Sequence, residues 1–393
     1  MIMFLRGKNS KIKEPISHYH LFKNRLLSFS FIKRNEQESP LMFIFLSSSR
    51  GNSVGEALEL LNNDEVKLHR LFSFTKEAKE RAEVMKMFLG EVIPYHGEER
   101  EKQIDHRLLS KAFEKSQFPP QVIKEMKDHL GCIMVDSGAF SVWTKGKTVD
   151  IQEYIEWIKL NIDFADYFVS LDVIPGTPTK PAISQVEKEE SAKKSLLNYH
   201  KMVRAGIPSE KLIHVLHYGD DVKWADRCRD FPFIGMGGMV GQDPAGRLIW
   251  MDNISRKLID KQGMPVNKWH CFGVTDKDIL LTIPFYSCDS AGWLKAAVMG
   301  TIHLWMDEQF QVLNVLHNAK NKNKHVNDLP PAVRKKVVDK IESMGFTLDD
   351  ISMSDANGRI GFNILTWKEY EQFIDDKRPY PWPMEKQTKT TLF

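Results

Sequence analysis

The feature that most constrains this chain is a recurring short apolar run that ends in a polar or glycine residue and is followed by a helix-prone stretch. Eight such runs are present. The first is Met42 to Leu46, followed by Ser47 to Gly51; the second is Leu68 to Phe74. A long, charged, helix-prone stretch from Lys76 to Leu130 leads to the third, Cys132 to Val135, which ends at Asp136. The fourth, Tyr167 to Leu171, ends at Asp172, and the fifth, Leu212 to Leu216, ends at His217. Then come Phe233 to Met236 with Gly237, Trp269 to Phe272 with Gly273, and Ile283 to Cys288 ending at Asp289. Between them Ile151 to Ile158 has apolar residues at helical spacing, and Val186 to Ala205 has an acidic start and Gly206 as its stop.

Strands alternating with helices imply βαβ units and a parallel sheet. Eight units in about 250 residues match the count and length of a closed (β/α)₈ barrel, the TIM barrel. The competitor is an open doubly wound sheet, which often carries a Gly-rich phosphate turn after its first strand. No GxGxxG stands there, so the expected fold is α/β, a (β/α)₈ barrel over residues 41–310. Residues 1–40 read as an N-terminal extension and 311–393 as a small C-terminal α+β appendage. In the appendage, Asn318 to Lys324 reads as a linker, Pro330-Pro331 opens a basic helix through Lys340, and Gly345 ends it. Ile360 to Trp367 reads as a strand.

Composition excludes little. The 393 residues are 42% hydrophobic and 27% charged, as in a soluble globular protein, and the net charge of +3 does not announce a nucleic-acid binder. Cys132, Cys228, Cys271 and Cys288 are scattered without CxxC spacing, which argues against a disulfide framework or a tetrahedral zinc site and for a cytoplasmic protein with reduced thiols. Neither a signal peptide nor a run of the roughly 20 apolar residues needed to span a bilayer is visible. No cofactor is expected.

In a barrel of this kind catalytic residues sit at the C-terminal ends of strands. Three of these ends carry Asp136, Asp172 and Asp289, and one carries His217. Three carboxylates at one barrel mouth suit acid/base and nucleophilic work at a glycosidic bond. The bland alternative is that each Asp caps the following helix.

The run Asp136-Ser137-Gly-Ala-Phe140 resembles the DSGGF signature of tRNA-guanine transglycosylases, with Ala139 at the second Gly. Ser141-Val-Trp143 and Lys145-Gly146 resemble the variant of phage and bacterial DNA-guanine transglycosylases. Further matches follow in order over residues 42 to 310: Ser170-Leu-Asp172, His214-Val-Leu-His217-Tyr-Gly219, Ile234-Gly-Met-Gly-Gly238, His270-Cys-Phe-Gly273 and Tyr286-Ser-Cys-Asp289-Ser-Ala-Gly-Trp293. The resemblance implies that Asp289 is the nucleophile at C1′ and Asp136 the second carboxylate, active in proton transfer. It implies that Asp172 accepts from N1–H and the 2-amino group of a guanine-like base, and that Ser137 is also among the base-binding residues. Gly237 and Gly238 would bring backbone N–H groups to O6, and Phe140 and Phe272 would sandwich the base. Core packing is the plain alternative for both Phe residues.

Two departures bear on the substrate. His217 stands where the tRNA enzymes place a Gln amide, and it or His214 reads equally as a core histidine. No Cys follows Cys288, so the zinc site of the tRNA enzymes is absent. Both the missing zinc element and the DSGAFSVW form point to the DNA-modifying branch. The expected reaction exchanges guanine in DNA for a 7-deazaguanine, such as 7-cyano-7-deazaguanine, through a covalent Asp–deoxyribose intermediate. The DNA must be single-stranded or present a flipped base. Lys145, Lys147, Lys180 and the basic helix with Arg334, Lys335, Lys336 and Lys340 could hold phosphates, or be solvated charges. The other readings are the same exchange on tRNA, a catalytically silent nucleic-acid-binding homologue, a DNA N-glycosylase, and a barrel acting on a free metabolite.

Overall fold

The computed structural model describes residues 43–47, 68–74, 130–177, 183–317 and 323–378, with positions 120, 123, 124 and 127 between them. The 1–40 extension, Lys180 and nearly all of the Lys76–Leu130 stretch lie outside the described residues.

Eight parallel strands close into a barrel in sequence order, with the eighth pairing back on the first. They are β1 (Phe43–Ser47), β2 (Leu68–Ser73), β3 (Leu130–Asp136), β4 (Tyr167–Val169), β5 (Leu212–His217), β6 (Phe233–Gly237), β7 (Lys268–Cys271) and β8 (Ser287–Ser290). The protein is therefore a (β/α)₈ barrel, as the alternation of runs predicts. Two departures from the expected strand extents bear on the mouth of the barrel. The fourth stops at Val169, so Asp172 stands on the loop beyond it. The eighth begins only at Ser287, because Ile283 still closes the preceding helix and Pro284 has no N–H to give a ladder.

Helices follow the strands: α1 (Ala139–Trp143), α2 (Ile151–Leu160), α3 (Gln185–Arg204), α4 (Lys223–Cys228), α5 (Pro244–Ser255), α6 (Lys277–Thr282) and α7 (Gly292–Val298). Their starts are written in local chemistry. The Asp150 side chain accepts from the N–H groups of Gln152 and Glu153 at the head of α2, and Ser184 and Glu187 form a reciprocal capping box on α3. Gly206, at φ +96°, follows α3 in the left-handed region that stops helices.

Strand parity divides the side chains into two sets. Phe45, Leu71, Met134, Val169, Ile213, Val215 and Phe233 form the core inside the barrel. Their neighbours along each strand, such as Ile133, Val135, Leu212, Leu216, Trp269 and Cys288, join the shell between strands and helices. That parity also separates the two candidate histidines. His214 faces outward, ring to ring with Tyr199 of α3 and with Phe231, and burial pushes its pKa down to about 3. It is a neutral core histidine. His217, three residues on, points to the barrel mouth.

The C-terminal segment differs most from expectation. Strands β9 (Thr301–Met306) and β10 (Gln309–Asn314) form an antiparallel hairpin, so a boundary at 310/311 cuts through a strand. Helices α8 (Pro331–Ser343), α9 (Leu348–Ser352) and α10 (Asn357–Lys377) follow. Ile360 to Trp367, expected as a strand, is the first half of α10. This helix is buried on nearly all sides, so its apolar residues carry no 3.6-residue rhythm, and a run such as Ile-Gly-Phe-Asn-Ile-Leu reads as a strand. Nor is the appendage a separate body. Ile360, Ile364, Trp367 and Ile374 share one hydrophobic cluster with the barrel shell. Asn363 accepts from the N–H of His303 and donates to the Trp293 carbonyl, and the Tyr370 hydroxyl donates to the Thr275 carbonyl.

Candidate functional site

The same parity that fills the barrel with apolar groups lower down turns polar at the C-terminal ends. Ser73 ends β2, Asp136 ends β3, His217 ends β5 and Asp289 lies on β8, all on the inward face. The mouth is thus lined by the residues singled out in the sequence, together with others that were not.

Asp136 is half-buried and accepts from the Ser73 hydroxyl at 3.3 Å. Loss of solvent, and then the charges of Asp172 and Asp289, push its carboxyl up to about 7, against the opposing pull of the Gly138 N–H and Ser73. The three carboxylates therefore feel one another as a cluster.

Asp172 is held at both oxygens. The Ser137 hydroxyl donates to Oδ1 at 3.1 Å, and His217 Nε2 lies 2.9 Å from Oδ2. Burial acts to lower the pKa of His217, but the hydrogen bond to Asp172, its charge and that of Asp220 outweigh this and raise it. Asp220 also accepts from the His217 backbone N–H at 2.8 Å. His217 is thus an orienting partner of Asp172. Since a carboxylate has about four lone-pair sites, Asp172 keeps acceptor capacity on each oxygen for a further ligand.

Asp289, 8% exposed, accepts from the Gly273 N–H at 2.7 Å through Oδ1. The fully buried His270 stands beside the same oxygen, with Nε2 at 3.4 Å, and its Nδ1 lies 2.8 Å from the Ser287 hydroxyl.

Two glycines give the site its shape. Gly235 faces inward on β6, where a Cβ would stand 2.3 Å from Cε2 of Phe272, so the Phe272 ring packs against bare backbone. Its ring also meets His270 edge-on at 4.3 Å, which makes Phe272 a partly buried floor of the mouth. Phe140 is 63% exposed and stacks on Trp143 at 6.1 Å. It is a rim residue rather than core. The N–H groups of Gly238 and Met239 have no acceptor among the described residues, and Gly238 takes φ +72°. Gly237 is buried at the end of β6, where its carbonyl accepts from the Tyr218 N–H.

Gly138 explains why Ala139 is tolerated in the DSGAF run. Gly138 has φ +73°, and a Cβ there would stand 2.0 Å from the Phe74 carbonyl oxygen. Ala139 is the first residue of α1 with ordinary backbone, so its methyl carries no such cost. Gly138→Ala is expected to destabilise the protein by about 3 kcal/mol or more, since strain and a backbone clash add. Urea denaturation measures this; a midpoint equal to wild type would mean the turn can rearrange freely.

The candidate phosphate contacts are not gathered with the carboxylates. Lys145 and Lys147 are exposed on the turn after α1, around Gly146 at φ +65°. Arg334, Lys335 and Lys336 are exposed on α8, where Lys335 pairs with Asp339 and Arg334 Nε donates to Asn327. Lys340 pairs with Glu369 at 2.6 Å. Sequence reasoning missed Ser73, Asp220, His270 and Ser287; strand parity counted back from Asp289 is a signal that finds Ser287 on the same strand, whereas Ser73 and His270 lie on neighbouring strands and are brought in by register.

Among the described residues no group of three or more His, Cys, Asp or Glu is arranged to hold a metal, and no helix is long and apolar enough to cross a membrane. No family model and no curated protein matches the chain. Among solved structures it is similar to a probable tagatose 6 phosphate kinase from Sinorhizobium meliloti 1021, at 10% identity and a TM-score of 0.32, over 89% of this chain and 90% of that one. A likeness at that level carries no argument about activity or substrate.

Proposed function

We propose that this barrel is a pentosyltransferase that exchanges guanine in DNA for a 7-deazaguanine base. The observation that carries the reading is the carboxylate cluster: Asp136, with a carboxyl pushed up to about 7, electrostatically coupled to Asp289 and to the doubly held Asp172. A proton carrier near neutrality beside a second, oriented carboxylate is the pair that glycosyl transfer through a covalent intermediate requires.

In this mechanism an Asp289 oxygen attacks C1′ of a deoxyguanosine. The C1′–N9 bond breaks, its electron pair leaves with guanine, and the Asp136 carboxyl gives its proton to the departing base. The incoming 7-deazaguanine then loses its N9 proton to the Asp136 carboxylate, and N9 attacks C1′ to release Asp289. Asp172, held by Ser137 and His217, accepts from N1–H and the 2-amino group, so an adenine edge leaves it unpaired. The Gly238 and Met239 N–H groups supply donors toward O6, with Phe272 below the base and Phe140 at the rim. The nucleotide enters flipped out or from single-stranded DNA, and Lys145 and Lys147 lie on the turn after α1, the helix that follows the Asp136 strand.

The test is nucleoside mass spectrometry of plasmid DNA and tRNA from cells that make 7-deazaguanine precursors, with and without this protein. A 7-deazaguanine deoxynucleoside that depends on the protein is the expected result. The modified nucleoside in tRNA alone would move the substrate to RNA, and an abasic product without insertion would make the protein a glycosylase.

A further inference from the structure

We infer that His270 is a positioning residue for Asp289: its Nε2–H and the Gly273 N–H together hold Oδ1, leaving Oδ2 as the oxygen that attacks. The inference rests on the reading of Asp289 as the nucleophile.

The geometry begins with parity. Ser287 and Asp289 are two apart on β8 and both face inward; His270 faces inward on the paired strand β7, in register with Ser287. That register puts the imidazole between a hydroxyl and a carboxylate, with Ser287 Oγ 2.8 Å from Nδ1 and Asp289 Oδ1 3.4 Å from Nε2. The ring is fully buried and wedged by Phe45 at 5.9 Å and Phe272 at 4.3 Å, so it has little room to turn. Nε2 is a buried nitrogen with no hydrogen-bond partner among the described residues, and the oxygen it faces is Asp289 Oδ1.

Chemistry then selects the proton's place. A bare Nε2 would set its lone pair against those of the carboxylate oxygen Oδ1 at that separation. The Ser287 O–H donating to Nδ1 leaves the proton on Nε2, where it faces Oδ1. Oδ1 thus accepts from the Gly273 N–H and faces Nε2–H as a second donor, whereas Oδ2 meets no donor among the described residues. A carboxylate oxygen carrying two donors is the weaker nucleophile, and the same donors hold the released carboxylate in place in the second half-reaction.

Single-turnover formation of the protein–DNA adduct tests this with His270→Leu and His270→Gln. Leu fills the space without a donor, and the rate is expected to fall by about 100-fold, the cost of a misplaced reacting group. The KM for the incoming base should stay within about threefold, because His270 does not meet it. Gln places an N–H near the former Nε2 and is expected to recover most of the rate. Wild-type rate in His270→Leu, or no recovery in His270→Gln, would overturn the proposal. A second measurement is independent of activity and of the folding of either Leu or Gln variant. With ¹⁵N-histidine labelling, Nε2 of His270 should be protonated in the unmodified protein and should shift in Asp289→Asn; a bare Nε2 would overturn the contact. If wild type forms no adduct, the nucleophile reading fails while this measurement still decides the role of His270.

Discussion

Asp289→Ala is expected to abolish both base exchange and the adduct that survives denaturing quench, a loss of about 10⁴-fold or more in rate. In the proposed mechanism the carboxylate forms the bond to C1′, and the Gly273 N–H that it accepts from cannot substitute for it. Folding should survive, since the change removes one carboxylate at the mouth and leaves the Gly273 N–H, which faced it beside His270 Nε2, without its acceptor, a cost of about 1–3 kcal/mol. Adduct formation is read by denaturing gel with an oligonucleotide, and binding of the same oligonucleotide should persist. An adduct retained by the alanine variant would reassign the nucleophile. Loss of binding together with loss of the adduct would show that the charge mainly shapes the mouth.

For Asp136→Asn two effects of opposite benefit are expected. The folded-state carboxyl sits at about 7 against an ordinary 3.8, so between those values the folded protein keeps a proton that the unfolded chain has lost. Wild-type stability therefore falls as pH rises from about 4 to 7, and the deficit persists above. Asparagine removes it. The variant should be more stable than wild type by about 1–3 kcal/mol at pH 8, with the gain shrinking toward zero near pH 4. Because three carboxylates share the mouth, the apparent value belongs to the cluster as much as to Asp136. Activity should move the other way, with a fall of about 10²–10⁴-fold and loss of the rate profile's inflection near pH 7. Urea unfolding at several pH values reads the first effect, single-turnover kinetics the second. A variant less stable than wild type at pH 8 would mean that Asp136 is ionised and satisfied in the folded protein.

Legibility varied along the chain for identifiable reasons. The barrel was readable because each strand is short, apolar and closed by a polar residue, and because helices such as α2 and α3 carry their own caps. Asp136, Asp172 and Asp289 were readable as candidates because a parallel barrel gathers the ends of its strands at one face. The C-terminal helix was not readable. Its burial on almost every side erases the periodicity on which a helix is recognised, and its partners lie on β9, α7 and α6, far away in sequence.

The roles within the mouth divide in the same way. What the sequence by itself determined was local: strand periods, helix caps, the glycine demanded by the turn at Gly138, and the residue types offered at each strand end. What only the tertiary structure decided was pairing between strands. Closure of the barrel set Ser73 against Asp136, Ser137 and His217 against Asp172, and Ser287 and His270 behind Asp289. It also sent His214 to the shell and His217 to the mouth, although the two share one short strand. The physical reason is that a side chain's charge state and direction depend on register across strands and on solvent lost at closure. Neither quantity exists until residues dozens of positions apart along the chain are brought within a few ångströms.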